Sequence, residues 1–152
     1  MSYAIEVQRV GARLVAWDGK ATSARFFLRT ASEHHAGPET LLDRLNDPHT
    51  QFLACEIDGR VELVRLAWIG FVEVEGELPE VREREEVGAC HQAVELILVS
   101  GEVLAGELLY LLPPDSSRVS DLLNSPGERF LLLRSAGRTH VVNRDAVARV
   151  RS

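Results

Sequence analysis

Val119-Ser120-Asp121-Leu122-Leu123-Asn124-Ser125-Pro126, followed by Phe130-Leu131, repeats a text already present as Leu41-Leu42-Asp43-Arg44-Leu45-Asn46-Asp47-Pro48, followed by Phe52-Leu53. The match runs on ungapped to the end of each repeat: Gly59-Arg60 faces Gly137-Arg138, Val64 faces Val142, and Val72 faces Val150. Upstream it resumes after a connector about four residues longer in the first repeat, where Arg13 to Gly19 faces Glu95 to Gly101. Apolar positions are kept while polar ones drift, which is how a duplicated fold reads.

The 152 residues therefore divide into a first repeat (1–75), an acidic linker (76–92) and a second repeat (93–152). Units of about 60 residues lie near the lower size at which a domain folds alone, so each repeat is expected to lean on the other. The net charge is −6. Much of it sits at the junction, where Glu73, Glu75, Glu77, Glu80, Glu83, Glu85 and Glu86 face only Arg82 and Arg84.

Local signals fix the elements. A short alternation at Tyr3, Ile5 and Val7 reads as an extra lead-in strand. Arg13–Trp17 and Ala21–Arg29 flank Asp18-Gly19, and Val94–Val99 and Val103–Leu112 flank Ser100-Gly101, each as a hairpin. Pro38 opens a short helix to Leu45, and Ser116 to Leu123 forms its counterpart; Asn46 and Asn124 read as helix stops, with Pro48 and Pro126 beyond them. A second hairpin follows in each repeat, Phe52–Ile57 with Arg60–Leu66 and Phe130–Ser135 with Arg138–Asn143. Short closing strands, Trp68–Val74 and Val147–Arg151, end the repeats, the second after a turn at Arg144-Asp145-Ala146. Phe52 and Phe130 are both expected in the core, and Leu45 and Leu123 are expected to be equally buried.

The order of strand, Gly turn, long strand bent at Gly106, second hairpin, and a turn of the form Asn143-Arg144-Asp145 before a short strand resembles the Sm-like or SH3-like small β-barrel. Arg118 to Asn124 followed by Phe130 also resembles a motif of small bacterial domains. The expectation is a mostly-β protein: two tandem small five-stranded β-barrels, each with a short helix between strands two and three, packed as a pseudo-dimer.

Chemistry-bearing patterns are few. Asp43 and Asp121 could form an acid and base pair, but a carboxylate in a short helix beside a turn ordinarily binds local amides. His34-His35, His49, Cys55, Cys90-His91 and His140 show no metal-ligand spacing, and Cys55 reads as a buried strand thiol. No P-loop, dinucleotide fingerprint or nucleophile elbow occurs. No enzyme, metal or cofactor is expected.

Two cysteines are too few for a disulfide framework, and neither a signal peptide nor a membrane-length apolar run is evident, so a bacterial cytoplasmic setting is expected. The foremost reading is a non-catalytic module of a larger complex that binds another protein, with homo-oligomers through edge strands as a variant. Arg118, Ser120 and Asp121 are candidates because Thr40 stands where the second repeat has Arg118. A second reading, an Sm-like nucleic-acid binder, uses the arginine-rich end, with Arg134, Arg138, Arg144 and Arg149 as candidates beside Arg129 and Arg151. In a third, Arg9 and Arg13 have the RxxxR spacing of the cyclic-dinucleotide sensors of the PilZ type, without the companion D-x-S-x-x-G element.

Overall fold

The computed structural model describes residues 7–32 and 37–152. Tyr3 and Ile5 of the expected lead-in strand, and His34-His35, lie outside the described residues. Ten strands carry the fold: β1 (Val7–Ala16), β2 (Ala21–Arg29), β3 (Phe52–Ile57), β4 (Arg60–Arg65), β5 (Ile69–Glu75), β6 (Cys90–Leu98), β7 (Val103–Tyr110), β8 (Phe130–Ser135), β9 (Arg138–Asn143) and β10 (Val147–Arg151). Among the described residues three α-helices accompany these strands: α1 (Leu41–Leu45), α2 (Pro79–Glu86) and α3 (Val119–Asn124). Val7–Val10, expected as part of a separate lead-in, belongs to the long β1.

Hairpins form where a turn residue can take positive φ. At Asp58-Gly59 both central residues do so, at 52° and 75°, the requirement of the two-residue turn whose twist matches its strands. In β2 the alternation of Ala24, Phe26 and Leu28 puts these three side chains on one buried face. Gly106 lets β7 cross β8 closely, since a Cβ there would strike the Arg134 carbonyl and lie 2.9 Å from Ser135 Oγ.

The strands form one open antiparallel sheet in the order β10-β6-β7-β8-β9-β5-β1-β2-β3-β4. The mostly-β expectation is met. Two small five-stranded barrels packed as a pseudo-dimer were expected; the pairing runs continuously from half to half, and β4 is not hydrogen-bonded to β5 nor β9 to β10. The halves meet where β5 pairs with β9, Phe71 opposite Val142, Val72 opposite Val141 and Glu73 opposite His140. β5 matches β10 in its own half's order and β9 matches β4, so the joint is head-to-tail, not a meeting of equivalent strands.

Two core clusters flank this joint. Val72 and Val141 face one, with Leu14, Phe26, Leu41, Leu45, Phe130 and Leu132. Phe71 and Val142 face the other, with Leu96, Leu98, Leu108, Leu131 and Leu133. Because the pleat sends successive side chains to opposite faces, the two middle strands serve both cores. The acidic stretch read as a linker folds as α2, started by Pro79 and seated through buried Leu78 and Val81.

Candidate functional site

The joint is built from backbone-reading side chains. Asn46, just past α1, accepts the Phe130 N–H on Oδ1 at 2.7 Å, while its Nδ2 donates to the Phe130 carbonyl at 3.2 Å and to Glu128 at 2.9 Å. Asn143 Nδ2 donates to the Ile69 carbonyl at 2.9 Å. Thr139 accepts the Leu78 N–H at 3.2 Å and donates to the Gly76 carbonyl at 3.0 Å. Arg84 of α2 donates to the Leu109 carbonyl at 2.8 Å and pairs with Glu128 at 2.7 Å. Asn46 was expected as a helix stop; its wider role is to hold the other half.

On the opposite face of the joint, charges gather about Glu73. His140 Nε2 lies 2.9 Å from it, Arg138 3.3 Å and Arg13 3.6 Å. His140 Nδ1 is 3.1 Å from Ser135 Oγ, so serine, histidine and carboxylate stand in a row. As a nucleophile the serine is badly placed: its hydroxyl donates to the Ala105 carbonyl at 2.9 Å and faces the backbone beside Gly106. An acyl group would need that space and donors for its oxyanion. The row therefore works as a polar clamp between β5, β8, β9 and β7.

The sequence-derived candidates fall into three situations. Asp121 accepts the Arg118 N–H at 3.0 Å and pairs with its guanidinium at 3.6 Å, while Ser120, exposed, accepts from Asn124 Nδ2 at 2.8 Å through its carbonyl. In the first half Asp43 accepts the Thr40 N–H and Thr40 Oγ1 accepts the Asp43 N–H, both at 3.0 Å. Asp43 and Asp121 are thus helix-start caps in separate halves rather than an acid and base pair. Arg134 is held by Glu85 and Glu107, Arg138 by Glu73, and Arg144 by the carbonyls of Leu122, Ser125 and Glu128, so all three have partners within the chain, although the Arg138 side chain stays 55% exposed. Arg149 is exposed on β10 and Arg151 beside it pairs with Glu95 at 3.5 Å. The RxxxR pair is also engaged, with Arg9 over the Phe27 ring at 5.7 Å and Arg13 on Glu73. Among the described residues no three His, Cys, Asp or Glu side chains converge as metal ligands, and no helix is long and apolar enough to cross a membrane.

What sequence reading missed is the asymmetry between the ends of the sheet. Phe52 was expected in the core like Phe130, yet it is 46% exposed against 0%, with the Arg65 guanidinium 4.4 Å over its ring. Val61 and Leu63 of β4 are 66% and 70% exposed, whereas Thr139 and Val141, their counterparts on β9, are 0% exposed under β5. Among the described residues β4 is the outermost strand, and none of them plays for it the part that β5 plays for β9. The apolar alternation of β4 was the available signal; a half-buried strand reads the same whichever edge it occupies. No family model, curated protein or solved structure matches the chain.

Proposed function

We propose that the chain is a non-catalytic protein-binding or scaffold module that takes up its partner by strand addition at the outer edge of β4. The observation that carries this reading is the exposure of Val61 and Leu63 on an outermost strand. An open edge offers unpaired backbone groups for affinity and alternate side chains for specificity. In this reading each five-stranded half with its short helix is a small Sm-like barrel, and the halves pack as a fused pair; the two separate core clusters support it. A bacterial cytoplasmic complex is the proposed setting, in keeping with two free thiols.

The commitment of Arg134, Arg138 and Arg144 to groups of the chain itself favours a protein partner over nucleic acid. Native mass spectrometry of the chain recovered from its host, beside a Leu63→Asp variant, tests the reading. A stoichiometric protein bound to the wild type and lost from the variant is the expected result. An oligonucleotide retained by both would replace it.

A further inference from the structure

We infer that the edge of β4 receives β10 from a second copy of the same chain, in the register that β5 and β9 use within one copy; the inference rests on the edge-binding reading above and names its partner. β4 and β10 are the two ends of the sheet, and they are the counterparts of β9 and β5, the strands already joined at its middle. The internal joint is thus a template for an external one.

Transposing its register places Val150 opposite Leu63, as Val72 stands opposite Val141, and Arg151 opposite Glu62, as Glu73 stands opposite His140. The charges complement each other with their signs exchanged. Inside the chain Arg13, Arg138 and His140 surround the glutamate of β5; across the new joint Arg149 and Arg151 of β10 would flank the glutamate of β4. The same exchange is already present within the halves, where Arg13 of β1 pairs with Glu73 of β5 at 3.6 Å and Glu95 of β6 pairs with Arg151 of β10 at 3.5 Å.

The helices agree. Leu41, Leu42 and Leu45 of α1, lying beside β8, are buried, while Leu122 and Leu123 of α3 are only half-buried at the open end. Asn46 grips Phe130; its counterpart Asn124 is exposed and turns its amide onto its own helix, and the counterpart of Phe130 is the exposed Phe52. In the assembly Asn124 rotates onto the Phe52 backbone of the next copy, and that copy's β3 and β4 cover α3. Arg149 replaces the Phe71 of the internal joint, so the external one is more polar and more sensitive to salt. Joining unlike edges leaves one of each kind free, so copies add head-to-tail into a closed ring or an open chain.

Light scattering on the purified chain, alone and at low and high salt, tests this with Glu62→Arg, Arg151→Glu and the doubly substituted variant. The expected wild-type mass exceeds that of two copies and falls as salt rises. Each single charge reversal should weaken association at least about tenfold, and the double reversal should restore it. Thermal unfolding checks that each variant is folded; if one is not, Asn124→Ala, altered at an exposed side chain, must weaken assembly in its place. A wild type that stays monomeric throughout, or an assembly indifferent to the single reversals, overturns the inference. If the chain is monomeric while Leu63→Asp still loses a host protein, self-pairing falls and the edge-binding reading stands; if Leu63→Asp loses nothing, that reading falls as well.

Discussion

Glu80 lies buried on α2, where its carboxylate accepts the Leu42 N–H at 3.3 Å. Burial pushes its pKa above the ordinary glutamate value, with Glu83 and Asp43 adding to the rise against the hydrogen bonds that lower it. The folded chain therefore holds this proton to higher pH than the unfolded chain. The resulting stability is fully present below the unfolded pKa and is lost as pH rises through the folded one. Glu80→Gln keeps an acceptor for Leu42 and removes the charge. It should raise the melting temperature at neutral pH and flatten the dependence of stability on pH above the carboxylate range, as read by thermal unfolding at several pH values. Cys55 is a second buried group whose pKa is raised, first by burial and then by Glu62, whereas Cys90 is half-buried. A thiol reagent should label Cys90 in the folded protein and reach Cys55 only on unfolding, which mass spectrometry of the labelled peptides decides.

At the scale of elements, matching sequences meet different surroundings. Leu45 of α1 is 1% exposed, but Leu123 of α3, expected to be its equal, is half-buried because none of the described residues covers α3 as the second half covers α1. Leu45→Ala should cost about 2–5 kcal/mol and Leu123→Ala clearly less, measured by denaturant unfolding. Gly106 is constrained by the close passage of β8, so Gly106→Ala should destabilise by about 1–3 kcal/mol through overpacking against the Arg134 carbonyl. The helical caps were legible in the sequence because Asp43 and Asp121 act on amides three residues away. The burial of α2 was not, since its glutamate-rich surface hides the short apolar side, Leu78 and Val81, that seats it.

For the whole molecule, the shared joint ties the halves together. Phe130, Leu132 and Val141 complete the core of the first half, and Val15 and Phe71 that of the second. Neither half can open without exposing the other's apolar surface, so circular dichroism and fluorescence should report one coincident unfolding transition. Asn46→Ala, which leaves the buried Phe130 backbone without its partner, should cost about 1–3 kcal/mol of stability and lower that single midpoint without splitting it.

By itself the sequence determined what short-range chemistry decides. Alternation, positive-φ turn residues and the Pro and Asn signals at helix ends set ten strands and two short helices in the order observed, each helix starting three residues later than read, because each signal depends on neighbours a few residues away. Only the tertiary structure decided which strands meet across the middle, which arginines are already paired, and that Phe52 and Asn124 lie open while Phe130 and Asn46 are joined. Those outcomes depend on contacts between residues far apart in the chain, and a repeated text reads alike in a filled joint and at an open edge.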